Sequence, residues 1–398
     1  MAPKSRQNHW PAVLALLVPG LLILAGAFSG TDALRPPDEM GPPPALGVTS
    51  HVLWSGQSER ERLATLDKVA ESGVGWVRLD VGWCTLEEHG RGDLSDWYVE
   101  RVEQMVDAAR ERGLRVLATL WCTPEWANGG QPRNVPPDDP AEYARIARIM
   151  AHRLRGRVAG WQIWNEPNAN SFWAGADAGE YTRLLRVGYR AIKGADPDAL
   201  VVFGGLVYND AEWLEEAYAA GAKGSFDILA THPYMGRGDD PPEHRDLGRH
   251  WTLVAVTRVR EVMLDHGDDR PIWFTEFGWS VHPNTGREPA WERGVSEEEQ
   301  AEYLVRAVEM VTLRYPYVDV MFWYNDRAKA TSDRHQSGYG LLTRDLQPRP
   351  AYHALSALSA GEGWQQGSPR SVAPSRSTSE EPLGSRPTRP QSSPAVRS

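Results

Sequence analysis

Eight times between residues 45 and 361 the chain passes from a short apolar run into a longer stretch bearing helical start or stop signals, and this alternation limits the folds open to it. The strand-like runs are residues 45–53, 75–81, 114–120, 158–165, 200–204, 227–232, 271–276 and 318–324. Near-continuous apolar runs of this length suit strands buried on both faces. Helices are expected over 58–73, 96–113, from 139, near 180–193, over 211–220, 250–265, from 296, and near 349–359. Ser58 with Glu61, and Ser296 with Glu299, have the spacing of a capping box. Asp139-Pro140 with Glu142 joins an N-cap to a first-turn proline, and Gly73 is a C-terminal stop. Strands alternating with helices build parallel sheets. Eight such pairs in this length have the size and order of a single (β/α)8 TIM barrel, an α/β fold. A doubly wound open sheet is the alternative. Residues 51–57, after the first strand, lack the Gly-rich phosphate turn of a nucleotide-binding version.

A barrel gathers the loops that follow its strands onto one rim, the catalytic face. The loops at 277–295 and 325–348 are long, and residues 233–249 are rich in Pro, Gly and charge, as suits a cleft wall. Two glutamates fall at this rim. Glu166 lies in Trp164-Asn165-Glu166-Pro167-Asn168 after the fourth strand. Glu276 lies in Thr275-Glu276-Phe277-Gly278-Trp279 at the end of the seventh. A single glutamate at a strand end is more often solvated or paired with Arg. Two carboxyls facing one another are the equipment for breaking a glycosidic bond: one protonates the leaving oxygen, and the other attacks the sugar carbon or activates water. Burial beside Trp164 is expected to raise the pKa of Glu166. Glu276 must stay ionised, and Arg78 and Tyr234, at other strand ends, are the candidates to hold it so. Asn165 is placed to bond a sugar hydroxyl, and His232 to orient Glu276 or a substrate hydroxyl. Trp121, Trp126, Trp279 and Trp323 offer flat rings that stack on sugar faces, with core packing as the competing use of each. Trp323 is expected as the floor of the sugar site.

These segments, with Thr123-Pro124-Glu125-Trp126-Ala127, His232-Pro233-Tyr234, Phe172-Trp173, Asp196-Pro197, Gly204-Gly205 and the closing run from Tyr339-Gly340-Leu341-Leu342 to Pro350-Ala351-Tyr352, resemble the clan A glycoside hydrolases. Within that clan the chain is similar to family 39 and its bacterial endoglycosidase relatives that cut exopolysaccharide. The resemblance covers roughly residues 45–361. It implies a (β/α)8 barrel and hydrolysis with retention of configuration, with Glu166 as acid/base and Glu276 as nucleophile. No β-sandwich module of the kind the xylosidase members append is recognisable, which favours a minimal barrel. A transglycosylase using the same glutamates, and a catalytically silent carbohydrate-binding barrel, are the alternatives.

The formal net charge of −10 disfavours a nucleic-acid partner. An oligo- or polysaccharide is the expected partner, and the chain is expected to act as a monomer. No cofactor is called for, and no set of His, Cys and Asp at ligand spacing points to a metal. Cys84 and Cys122 each follow a strand, the second and the third, and either a bridge or two thiols fits them. Residues 1–30 read as a signal peptide or membrane anchor, with Lys4 and Arg6 before an apolar stretch at 10–28. Either way the remainder would lie outside the cell, secreted or tethered to the membrane's outer face. Residues 31–44 read as a Pro-rich linker, 45–361 as the glycosidase barrel and 362–398 as a Ser-, Pro- and Arg-rich disordered tail.

Overall fold

In a computed structural model of the chain, the described residues are 42–245, 250–329 and 331–361. The expected signal or anchor at 10–28, the linker up to residue 41 and the tail at 362–398 lie outside them. Among the described residues no helix is long and apolar enough to cross a membrane.

Among the described residues nine strands form one sheet: β1 (Ala45–Ser50), β2 (Trp76–Gly82), β3 (Arg115–Trp121), β4 (Gly160–Ile163), β5 (Leu200–Val202), β6 (Leu206–Val207), β7 (Leu229–His232), β8 (Ile272–Phe277) and β9 (Val318–Tyr324). All ladder pairs are parallel, in the order β5-β4-β3-β2-β1-β9-β8-β7-β6. The sheet is curled. Phe203 N donates to Ile228 O (2.9 Å) and Ile228 N to Val201 O (3.2 Å), joining β5 to the residue before β7. A doubly wound sheet keeps its edges apart and does not make such bonds.

The helices are α1 (Glu59–Glu71), α2 (Asp96–Glu111), α3 (Pro140–Arg153), α4 (Ala178–Ala195), α5 (Ala211–Ala219), α6 (Val256–Asp265), α7 (Glu297–Arg314) and α8 (Pro350–Ser359), with short helical turns at Trp83–Leu86 and Arg334–Gly338. Ser58 with Glu61 and Ser296 with Glu299 form reciprocal capping boxes, so both starts have their free N–H groups satisfied locally. The helix expected from residue 250 begins at Val256, after a 3-10 turn at Leu253–Ala255.

Three strands differ from the sequence expectation. β1 stops at Ser50, where Trp54 N turns back to His51 O (3.0 Å). β4 is shorter than 158–165 because Trp164 (φ 72°) and Glu166 (φ 46°) adopt left-handed backbone, which ends a strand. The single strand expected at 200–204 divides into β5 and β6 around Gly204-Gly205. A Cβ at Gly204 would fall 2.5 Å from Ile163 O, and one at Gly205 would collide with His232 Nε2. Only glycine lets the chain pass there.

Side chains two apart on a strand share a face, and the inward faces stack in layers. The lowest layer is apolar: Trp76, Leu117, Val202, Ile228, Ala230, Trp273, Val320 and Phe322 form one buried cluster. Above it Thr49, Arg78, Thr119, Gln162 and Thr275 are buried and polar. One step further up each strand lie His51, Asp80, Trp121, His232 and Tyr324. The fold thus sets a polar layer on an apolar plug directly below the strand ends.

Candidate active site

Arg78, on β2, is fully buried and organises the polar layer. Its Nη1 donates to Glu276 Oε1 (2.8 Å), its Nη2 to Asn165 Oδ1 (2.7 Å) and its Nε to Gln162 Oε1 (2.8 Å). A planar guanidinium with fixed donor directions suits three such acceptors, where a lysine would reach one at a time. Gln162 holds the layer together from β4. Its Oε1 also accepts from Thr119 Oγ1 (2.9 Å), and its Nε2 donates to Phe203 O and Thr275 Oγ1 (both 3.0 Å).

Glu276 reaches the mouth because the β8–β9 register shifts between Phe274 and Phe277. Such irregularities re-aim side chains at strand ends. Its second oxygen, Oε2, accepts from Tyr234 Oη at 2.8 Å. Burial alone would push the Glu276 pKa up. The neighbouring His232 and Arg78, the Tyr234 hydroxyl and Lys329 outweigh it and hold the carboxyl below its ordinary range.

Glu166 sits in the turn after β4. His232 Nδ1 lies 2.8 Å from Glu166 Oε1, and His232 Nε2 lies 2.9 Å from Thr275 Oγ1. Thr275 Oγ1, itself bonded by Gln162 Nε2, and Glu166 Oε1 thus hold the His232 ring from both nitrogens. Burial is the main cause that raises the Glu166 pKa, helped by the like charge of Glu276 and opposed by His232. The two carboxyls are therefore pushed in opposite directions, Glu166 toward a held proton and Glu276 toward a charge. One oxygen of each, with a ring nitrogen of His232, lie within 4.8 Å of one another.

Those three side chains also have the donor types of a metal site. Their donors are already engaged, His232 Nδ1 on Glu166 and Glu276 on Arg78 and Tyr234, and a cation there would face the guanidinium. A second trio, Asp210, Glu212 and His250, lies in the region after β6. Asp210 caps Trp213 N, Glu212 pairs with Arg258, and His250 Nε2 accepts from Trp251 Nε1.

The structure thus brings Arg78, Asn165, Glu166, His232, Tyr234 and Glu276 into one bonded group. The tryptophans fare differently. Trp323, expected as the floor, is fully buried: alternation along β9 turns it to the outer face, where it packs on Phe277 and Trp279 and donates to Tyr339 O (3.1 Å). Its neighbour Tyr324 takes the inward position, edge-on to Tyr234 and Tyr339. Trp279 is also buried, and its Nε1 ties the 233–245 loop through Asp240 O (2.9 Å). Trp126 donates to Glu87 O (2.7 Å) and packs edge-on against Trp83, a structural setting. Trp121, half-buried at the end of β3, packs near Phe172. Trp164, expected to desolvate Glu166, packs on Tyr143 and Trp173. Cys84 and Cys122 are joined by a disulfide (Cα–Cα 5.5 Å) that ties the loop after β2 to the end of β3.

A family model described as cellulase (glycosyl hydrolase family 5) matches residues 38–328. The chain belongs to this family. This family 5 chain is a clan A glycoside hydrolase. A β-xylosidase of Geobacillus stearothermophilus is 24% identical over 322 residues, covering 72% of this chain and 61% of the relative. A β-xylosidase of Caldicellulosiruptor saccharolyticus is 23% identical over 306 residues, covering 71% and 60%. The family 5 chain spans about three fifths of the length of these curated relatives. A family 39 glycoside hydrolase from the gut symbiont Bacteroides cellulosilyticus WH2 matches in fold with a TM-score of 0.64 at 22% identity, covering 80% of this chain and 64% of that one.

Proposed function

We propose that this family 5 chain is a retaining β-glycosidase that hydrolyses an extracellular oligo- or polysaccharide by double displacement. The observation that carries it is the close approach of Glu166 and Glu276, within 4.8 Å, with their pKa values driven apart. Retaining enzymes hold the two carboxyls about 5–5.5 Å apart, against roughly 6.5–9.5 Å in inverting ones. In the first step a Glu276 oxygen bonds to the anomeric carbon while the bond to the leaving oxygen breaks, and the Glu166 proton moves to that oxygen. In the second, water bonds to the same carbon, gives its proton to Glu166, and the bond to Glu276 breaks. His232 positions Glu166. Arg78 and Tyr234 fix Glu276 by an oxygen each. Arg78 also holds Asn165 by its carbonyl oxygen, which leaves the amide N–H groups for a sugar hydroxyl.

The nine strands read as a (β/α)8 barrel in which β5 and β6 are two halves of one strand. The curated relatives, named as β-xylosidases, support a β-linked substrate. The Cys84–Cys122 disulfide supports an oxidising, extracellular setting, and a monomer suffices, since every group in the mechanism comes from one chain. The test is the anomer first released from an aryl β-glycoside, followed by proton NMR before mutarotation. The β-anomer is expected; release of the α-anomer would rule the double displacement out.

A further inference from the structure

On the nucleophile's side of the mouth one buried ring nitrogen lacks a partner, and beside it stands a half-buried carboxylate held only by a long ion pair. His51, just past β1, is 6% exposed, and its Nδ1 is buried with no hydrogen-bond partner. Its Nε2 lies 3.9 Å from Asp80 Oδ2, too far for a hydrogen bond. Asp80, on β2, has a side chain only 12% exposed, and its nearest guanidinium nitrogen, Arg78 Nη1, is 3.5 Å away. That same nitrogen is spent on Glu276 Oε1 at 2.8 Å. Asp80 and Glu276 thus share one cation, and Asp80 stands beside the nucleophile. Buried polar groups in folded proteins are nearly always bonded, so the orphaned His51 nitrogen, next to the nucleophile's neighbour Asp80, marks these two side chains as candidate contacts for a bound sugar.

The surroundings narrow the ligand. His51 packs against Trp54 (ring centroids 4.0 Å) and edge-on to Tyr324 (5.4 Å), and Trp54 is 36% exposed. Lys329 Nζ lies 4.7 Å from the Trp54 ring and 4.8 Å from the Tyr324 ring, and it donates to Tyr324 Oη and Gln336 Oε1. Burial and the charges of Lys329 and Arg78 keep the His51 pKa well below its ordinary value, so the ring offers one donor and one acceptor nitrogen. Arg78 is paired with Glu276, and the charge of Lys329 is set against the carboxylates of Glu276, Asp80, Asp326 and Asp333, so the carboxylates here outnumber the two cations. The groups left over are a carboxylate and a neutral imidazole. They match hydroxyls, which donate and accept, and they oppose an anionic substituent.

Resting on the glycosidase assignment above, we propose that Asp80 and His51 form the specificity wall of the sugar site. They grip free hydroxyls of a neutral ring on the nucleophile's side and reject a uronic acid there. Asp80 accepts from one hydroxyl, and His51 exchanges a hydrogen bond with its neighbour across the Trp54–Tyr324 corner.

The experiment compares kcat/KM of the full chain on aryl β-xyloside, β-glucoside, β-galactoside and β-mannoside with that on aryl β-glucuronide and β-galacturonide. The variants are Asp80→Asn, His51→Gln and Glu276→Gln, each checked for an unchanged circular dichroism melt. The unmodified chain is expected to favour the best neutral glycoside over the better of the two uronides by at least 100-fold. Asp80→Asn should bring that ratio below 10-fold, and His51→Gln should raise KM for the neutral sugar at least tenfold with a smaller change in kcat. A uronide cleaved as well as the best neutral glycoside overturns the specificity wall while leaving the glycosidase assignment standing, as does an unchanged ratio and KM in folded Asp80→Asn and His51→Gln. If the unmodified chain cleaves nothing in the panel, or Glu276→Gln is as active as its parent, the glycosidase assignment falls and the specificity wall falls with it.

Discussion

Arg78 and Glu276 meet at 2.8 Å although they stand on β2 and β8, and the same guanidinium reaches Asn165 beside Glu166. One buried cation therefore fixes the nucleophile and the residue preceding the acid. Arg78→Met should leave Glu276, Asn165 and Gln162 without their donor. Breaking a buried pair costs about 3–5 kcal/mol, readable as a lower urea midpoint. Arg78→Lys keeps the charge but loses the fork. Because Arg78 helps to lower the Glu276 pKa, its weakening should move the acid limb of the pH–kcat/KM profile to higher pH; an unmoved limb would dissociate Arg78 from the nucleophile's ionisation.

Glu166 should set the alkaline limb. Its pKa is raised, so kcat/KM should fall as pH rises past that elevated value. Glu166→Gln should abolish this limb and slow turnover of substrates with poor leaving groups by roughly 10²–10⁴-fold. Dinitrophenyl glycosides, whose leaving group needs no proton, should suffer far less in the first step. A uniform loss across leaving groups would deny Glu166 the acid's part.

Gly205 tests the positioning of His232. A Cβ there would collide with His232 Nε2 and lie 2.8 Å from Thr275 Oγ1. Gly205→Ala should displace the imidazole from Glu166. A misplacement of about 1 Å in such a group can cost on the order of 100-fold in rate. The alkaline limb should shift with it, which a general loss of folded protein would not produce.

The Cys84–Cys122 bond closes a loop running from the turn after β2 through β3. Its removal by Cys84→Ala with Cys122→Ala should lower stability by roughly 2–4 kcal/mol. Thermal melts with and without reductant provide the measurement: reductant should lower the melting temperature of the parent and leave the double variant unchanged.

Much of the arrangement was legible in the sequence. Ser58–Glu61 and Ser296–Glu299 cap helices because a capping box is a local device, written in four residues. The strand–helix alternation likewise announced parallel pairing, whereas the curl that joins β5 to the start of β7 rests on long-range bonds that left the doubly wound sheet open as an alternative. Other features depended on contacts distant in sequence. The division of β5 from β6 follows from His232 and Ile163 pressing on Gly204-Gly205, which no local pattern announces. Trp164 and Glu166 read as the end of a strand, yet their left-handed backbone makes them a turn.

The tryptophans were the least legible. Trp323 and Tyr324 are adjacent aromatics at one strand end, and a one-residue difference in facing decides which meets the mouth. Counting inward positions back from Phe322 along β9 would have favoured Tyr324. The same count along β4 and β8 would have found Gln162 and Thr275, buried polar residues that tie Arg78 and His232 together. His51 and Asp80 carry no motif at all, and only the orphaned His51 nitrogen and the nearness of Asp80 to Glu276's cation draw attention to them.

The most direct trial of the two-glutamate mechanism is peptide mass mapping after incubation with a dinitrophenyl 2-deoxy-2-fluoro-β-glycoside, which slows the second step and lets the covalent sugar accumulate. The peptide bearing Glu276 should gain the mass of one fluorosugar. Label on Glu166 or any other residue, or continued turnover with Glu276 bare, would contradict the assignment of Glu276 as the nucleophile.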